Sequence, residues 1–143
     1  MNENLSECSC VIDCDGLHEI AQTKSGNLKA FYLAKLESGE IGVPTCVWNE
    51  FEKVFEEEAS SLAPYIATKI AMKKAFHVGA ASIADRLDAG FPRGAYDTYT
   101  DLYTASIATI EEYRVLTTAS QVGDYEKMSC DVIELAEWAD EMS

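Results

Sequence analysis

Short apolar runs that stop at acidic residues or glycine recur along the chain and predict inner strands. The first run covers residues 10–12, stops at Asp13 and is followed by Gly16. A run of this length with β-branched residues, ending at such positions, is typical of a buried strand followed by a loop. Comparable runs predict three more strands, over residues 40–44, 114–118 and 131–135.

Between these runs, apolar residues recur at the spacing of amphipathic helices. Gly26 and Asn27 divide the stretch that begins at Leu17 into two helices, and Thr45 is suited to cap the next helix. The remaining helical stretches cover 60–87 as two helices, 96–113 and 136–142. A turn is predicted over 88–94, and a polar loop after 118 runs through 123.

Helices that alternate with short apolar strands predict an α/β protein. We expect a three-layer α/β/α sandwich around a short, mostly parallel sheet. The chain has 143 residues, which suits one core of ordinary size, and the sequence contains no internal repeat or linker. A single domain over residues 1–143 is therefore expected.

The charge balance changes the picture of possible partners. There are 25 Asp and Glu residues against 11 Lys and Arg, so the net charge is −14. A strongly basic clamp for nucleic acid is excluded, because phosphate backbones are gripped by clustered Lys and Arg. The acidity favours a cation or a basic partner protein instead.

The cysteines and the apolar runs indicate a cytoplasmic protein. The five cysteines are an odd number, and the first three lack the CxxC pair or neighbouring His of a zinc site, so reduced thiols are expected. No apolar run approaches the roughly 18 residues that cross a membrane. The first seven residues are polar and acidic, unlike a signal peptide.

The order of three acids carries the chemical hypothesis. Asp13 ends the first strand, Glu50 lies near the start of the helix after the second strand, and Asp101 lies early in the helix before the third. Ligands of parallel sheets sit beyond the carboxyl ends of the strands, where these acids would converge. Clustered carboxylates suit a hard cation, so Mg²⁺ or Mn²⁺ that activates water against a phosphodiester is expected.

The same segments resemble the PIN-domain family of metal-dependent ribonucleases, which includes many toxins of toxin–antitoxin pairs. The matching segments, in chain order, are 11–13 (Val-Ile-Asp), 41–50 (from Ile-Gly-Val-Pro to Glu), 101–108 (Asp followed by an Ala- and Ile-rich helix) and 114–118 (a strand ending on Thr). The resemblance implies that Asp13, Glu50 and Asp101 are both catalytic residues and metal ligands. It also implies an RNA substrate and an antitoxin protein as partners, with a homodimer as a further option.

The chain departs from the family at the fourth acid, where Ala119 or Ser120 stands in the place of the usual Asp. Two alternatives follow. Either Asp124 reaches the site and serves as a metal ligand, or Thr118 and Ser120 hold metal-bound water. Supporting positions around the ligands are expected for four residues: Asp15, Asp97, Thr118 and Ser120.

Two other functions remain open. The segment 13–16 (Asp-Cys-Asp-Gly) is similar to the signature of haloacid-dehalogenase-type phosphatases, in which Asp13 would be the nucleophile and Asp15 the general acid/base. A PIN-like scaffold without its fourth acid also suits a non-catalytic binding module. For a nuclease, the basic residues expected to approach RNA are Lys73, Lys74, Arg86 and Arg93.

Overall fold

A computed structural model of the chain describes residues 8–87 and 100–142. Its centre is a sheet of five parallel strands in the order β3-β2-β1-β4-β5. The strands are β1 (Cys10–Ile12), β2 (Ile41–Pro44), β3 (Lys69–Ile70), β4 (Arg114–Thr117) and β5 (Val132–Glu134). The expectation of a mostly parallel sheet is confirmed.

Helices connect the strands as parallel pairing requires. They are α1 (Cys14–Gln22), α2 (Gly26–Glu37), α3 (Thr45–Val54), α4 (Glu56–Leu62), α5 (Lys74–Leu87), α6 (Thr100–Glu111), α7 (Val122–Lys127) and α8 (Leu135–Met142). Short 3₁₀ turns cover Ala63–Tyr65 and Ala119–Gln121. No helix in the described part of the chain is both long and apolar enough to cross a membrane.

The sheet separates two hydrophobic cores, because successive strand side chains point to opposite faces. Cys10 and Ile12 of β1 pack with α1, α2, α3, α4 and α8. Val11 and Val115 point the other way, into a core with α5, α6 and Tyr125 of α7. The expected three-layer α/β/α sandwich is therefore confirmed.

The strand register places Asp13 and Thr117 at the same edge of the sheet. Ile12 pairs with Leu116 of β4, and Leu116 pairs with Ile133 of β5, so the three strands end side by side. The residue that follows β1 is Asp13, and the last residue of β4 is Thr117. Both therefore lie at the carboxyl edge of the sheet, where α/β folds place their ligands.

Three local predictions were wrong. The stretch 60–87 contains β3, whose two residues are too few to show strand periodicity. The expected polar loop after β4 is a 3₁₀ turn followed by α7, which buries Tyr125 and so outweighs the helix-breaking tendency of Gly123. Thr45 is the first helical residue of α3, and its helix has no side-chain cap. The turn predicted over 88–94 lies outside the described residues.

Candidate functional site

Asp13 is held by hydrogen bonds from three different elements and has no exposed surface. Its Oδ1 accepts from the backbone N–H of Gly16 at 2.8 Å, so Asp13 is the N-cap of α1. Its Oδ2 accepts from the Thr117 hydroxyl at 2.7 Å and from the Tyr125 hydroxyl at 2.9 Å. The residue that the sequence places at the strand end thus lies at a junction of α1, β4 and α7.

Asp101 lies in the first turn of α6 and is only 4% exposed. Its Oδ2 is buried and has no hydrogen-bond partner within residues 8–87 and 100–142. A buried carboxylate oxygen without a partner is costly and calls for an explanation, such as an ion that binds there. Asp101 is therefore the acid whose surroundings are best suited to bind a cation.

Glu50 lies on the buried side of α3 and is 7% exposed. Its Oε1 accepts a hydrogen bond of 2.5 Å from the hydroxyl of Thr100, the residue before Asp101. This bond ties α3 to the first turn of α6. The second acid predicted from the sequence is thus attached to the same turn as the third.

The acids influence each other electrostatically. Burial raises the pKa of Asp13 to about 8, and repulsion from Asp101 adds to the increase. Burial also raises the pKa of Asp101 to about 7, which a hydrogen bond with Tyr125 partly offsets. The charges that further raise the pKa of Asp101 are those of Asp15, Glu50 and Asp124. These acids therefore lie close enough for the charge of one to change the pKa of another.

The buried thiol of Cys14 lies close enough to these acids for their charges to change its pKa. Its pKa is raised, first by burial and then by the charges of Glu50 and Asp13. Cys14 begins α1 directly after Asp13, and all five cysteines are free thiols. Because a buried thiol with a raised pKa is unreactive, Cys14 serves here as a small apolar residue under the acids.

The donor chemistry of this cluster fits a hard divalent cation, although the cluster is not a closed cage. Mg²⁺ and Mn²⁺ prefer carboxylate oxygens as ligands, and Asp101 Oδ2 has no hydrogen-bond partner within 8–87 and 100–142. In the described part of the chain, however, no three His, Cys, Asp or Glu side chains are grouped closely enough to hold an ion. Mg²⁺ commonly keeps several waters, so one or two protein carboxylates suffice as direct ligands.

The expected supporting residues take different positions. Asp15, Thr118 and Ser120 line an outer cleft of about 400 Å³, together with His18 and Gln121. Thr118 and Ser120 share a hydrogen bond of 3.1 Å and are not among the side chains that bind Asp13. Their proposed role in holding metal-bound water stays a prediction, and Asp97 lies outside the described residues.

Three residues of the site were missed from the sequence: Thr117, Tyr125 and Thr100. Val115 and Leu116 point to opposite faces of the sheet, and Thr117 ends the strand. Following this alternation along the strand would have favoured Thr117 over Thr118 as the hydroxyl near Asp13. No pattern in the sequence marks the hydroxyl of Tyr125 as a partner of the acids.

The basic residues expected near RNA have other partners. Lys73 pairs with Glu111 at 3.4 Å, and Glu111 lies ten residues after Asp101 in the same helix, about 15 Å away. Arg86 donates to the carbonyl of Met128 at 3.1 Å. Lys74 is exposed, and Arg93 lies outside the described residues. A continuous basic strip beside the acids is therefore not formed by Lys73 and Arg86.

Known structures share this architecture. DNA-bound VapBC from Salmonella typhimurium aligns with a TM-score of 0.70 and 14% identity, over 90% of this chain and 98% of that one. PAE2754 from Pyrobaculum aerophilum aligns with 0.63 and 9%, over 95% and 96%. FitAcB from Neisseria gonorrhoeae aligns with 0.63 and 14%, over 87% and 96%. No protein-family model and no curated protein matches the sequence.

Proposed function

We propose that this chain, which has a PIN-like fold, is a metal-dependent endoribonuclease and the toxin of a toxin–antitoxin pair. One observation carries the proposal: Asp13 and Asp101 are buried together at the carboxyl edge of the sheet, and Asp101 Oδ2 has no partner in the described part of the chain. Two such carboxyls destabilise the fold unless protons or a cation neutralise them. A cation bound between the two carboxylates would remove their repulsion and could also contact an RNA phosphate.

The residues have distinct roles in this proposal. Asp13 and Asp101 would hold Mg²⁺ or Mn²⁺, with Glu50 and Asp124 adding negative charge or water-mediated contacts. When bound, the ion supplies an activated water and stabilises the charge that develops on the phosphate. Gly16 and Thr117 fix the orientation of the Asp13 carboxylate by their hydrogen bonds.

The net charge of −14 bears on both partners. RNA phosphate is repelled by such a chain unless a cation mediates the contact. The similar VapBC and FitAcB structures support an antitoxin as the partner. A basic segment of such a protein would be attracted to the acids of this chain. Toxicity on expression, suppressed by a neighbouring small gene, is the expected sign, whereas harmless expression of the isolated chain would count against a toxin.

The geometry disfavours the phosphatase alternative. A nucleophilic Asp13 must present a carboxylate oxygen to a phosphate ester, which is far bulkier than a metal ion, but the residue has no exposed surface. Its Oδ2 already accepts from two hydroxyls. Asp15, the would-be general acid, lines the outer cleft instead. Asp13 is therefore better suited to a buried structural or metal-binding role than to covalent catalysis.

The test is cleavage of a mixed-sequence RNA in the presence of Mg²⁺, Mn²⁺ or a chelator. We expect cleavage only with a metal ion, and at least a hundredfold loss in Asp101→Asn. Asp85→Asn is the matched control, because it makes the same chemical change at an exposed position on α5. Release of phosphate from small phosphomonoesters would support the phosphatase. Cleavage of neither substrate, with a stable protein complex, would support the binding module.

A further inference from the structure

Tyr125 places a buried hydroxyl against the acid that follows β1. The side chain has no exposed surface, and its ring packs in the core formed by α5, α6 and one face of the sheet. Its hydroxyl donates to Asp13 Oδ2 at 2.9 Å. Burial raises the pKa of that hydroxyl, and the nearby charges of Asp13 and Asp101 raise it further. Tyr125 thus anchors the acid after β1, close to the acid of α6, from a helix that contributes neither.

The hydrogen bonds leave a defined part of Asp13 available. A carboxylate offers about four acceptor positions, two on each oxygen. Thr117 and Tyr125 use Oδ2, and Gly16 uses one position of Oδ1. Among the residues that the structure describes, no donor takes the second position on Oδ1 or the Oδ2 of Asp101, so both are available to a cation.

Tyr125 lies only a few residues after the position at which the resemblance predicts a fourth acid. Ala119 and Ser120 stand where a fourth carboxylate is expected, and the 3₁₀ turn that contains them leads directly into α7. The hydroxyl that α7 contributes binds Asp13 without adding a further negative charge beside Asp101. It therefore anchors the Asp13 carboxylate at a lower electrostatic cost than a fourth acid.

We propose that Tyr125 is a positioning residue of the metal site, whose hydroxyl orients the carboxylate of Asp13 in place of the fourth acid. The inference rests on the proposed function, because it assigns a role within the same metal site. Groups that hydrogen-bond to metal ligands commonly change metal affinity ten- to a hundredfold when they are removed. The hydroxyl of Tyr125 is expected to have an effect of that size.

The experiment measures the affinity for Mn²⁺, from the electron paramagnetic resonance signal of the free ion, in the full chain and in Tyr125→Phe. We expect about tenfold weaker binding in the variant, with unchanged stoichiometry, at a temperature well below its melting point. Tyr32→Phe is the matched control. Tyr32 is also almost fully buried, but its hydroxyl has no hydrogen-bond partner among the described residues, so Mn²⁺ affinity is expected to stay unchanged.

A second measurement covers the case in which Tyr125→Phe does not fold. In the wild-type chain carrying ¹³C at the tyrosine ζ carbons, the Tyr125 resonance is expected to shift as Mg²⁺ is added, while that of Tyr32 stays in place. Unchanged or tighter Mn²⁺ binding in Tyr125→Phe, or a Tyr125 resonance that Mg²⁺ does not move, would overturn the inference alone. A wild-type chain that binds neither ion would overturn the proposed function and this inference together.

Discussion

The hydroxyl of Thr117 donates a 2.7 Å hydrogen bond to Oδ2 of Asp13, across 104 positions of the chain. Both atoms are buried, and the two residues terminate neighbouring parallel strands at the same edge. The bond fixes the Asp13 carboxylate to β4, which is a direct neighbour of the central strand β1. The site is therefore built on the centre of the sheet.

The metal-free fold is expected to lose stability as the pH rises from 5 to 8. The pKa of Asp13 is raised to about 8 and that of Asp101 to about 7, whereas aspartates of the unfolded chain titrate near 3.9. The folded state therefore binds more protons than the unfolded state. The stability that this proton binding contributes is fully present below about pH 4 and is lost as the pH rises through the raised pKa values of Asp101 and Asp13. Each group contributes a slope of up to about 1.4 kcal/mol per pH unit.

Urea unfolding with a chelator present, at pH 5, 6, 7 and 8, measures this slope. Asp101→Asn should flatten the pH dependence, because its amide does not titrate and no longer repels Asp13. Asp85→Asn should leave the dependence as in the wild type. A wild-type free energy of unfolding that rises between pH 5 and pH 8 would show that the acids are not held together as described.

Divalent cations are expected to stabilise the fold more at pH 8 than at pH 6. An ion that binds only the folded state adds about 2.7 kcal/mol when its concentration is a hundred times the Kd. Protons compete with the ion for Asp13 and Asp101, and this competition weakens as the pH rises. The melting temperature in millimolar Mg²⁺ or Mn²⁺, relative to chelator, checks the prediction. An equal shift in Asp101→Asn would assign the effect to another part of the surface.

Asp124 and Ser120 are expected to differ in their effect on metal binding. Asp124 is half-buried at the start of α7, and its charge raises the pKa of Asp101, so it lies on that side of the cluster. Ser120 is exposed and bonded to Thr118 in the outer cleft. We expect Asp124→Asn to weaken Mn²⁺ binding about tenfold and Ser120→Asp to change it little. Calorimetric titration with Mn²⁺ measures both, and a gain from Ser120→Asp would mean that the original fourth position is still open.

Gly16 is expected to be essential for the close approach of α1 to β1. A methyl group at Gly16 would lie 2.6 Å from Cγ1 of Ile12 and 3.1 Å from the carbonyl oxygen of Leu116. Gly16→Ala should therefore cost roughly 1–3 kcal/mol of stability and displace the N–H that binds Asp13. Gly123→Ala is the control, since no atom lies within 4 Å of the added methyl group and alanine favours its helix. Equal stability of the two variants, by urea unfolding, would contradict this packing.

The sequence was sufficient to predict those strands whose local hydrophobic pattern agrees with their burial in the fold. The apolar runs of β1, β2, β4 and β5 are distinct, and the acids after them follow from the direction of parallel strands. The pattern places Asp13 at the end of β1, and Glu50 and Asp101 near the starts of α3 and α6. The role of these three acids as metal ligands stays a prediction.

The rest depends on contacts between distant segments. β3 has two residues, and only its pairing with β2 makes it a strand. α7 contains Gly123 and has no side-chain cap, so its stability comes from burying Tyr125. The hydroxyl of Tyr125 reaches Asp13 over 112 positions, a contact that no local rule predicts.

The central claim is that the cation held at Asp13 and Asp101 is the one that cleaves RNA. The most direct measurement compares, in the same samples, the Mn²⁺ concentration that half-saturates the protein with the concentration that gives half-maximal cleavage of one RNA oligonucleotide. We predict that the two midpoints coincide in the wild type and in Asp85→Asn, and that binding and cleavage are both lost in Asp101→Asn. Cleavage that persists in Asp101→Asn, or that needs no bound Mn²⁺, would contradict the account.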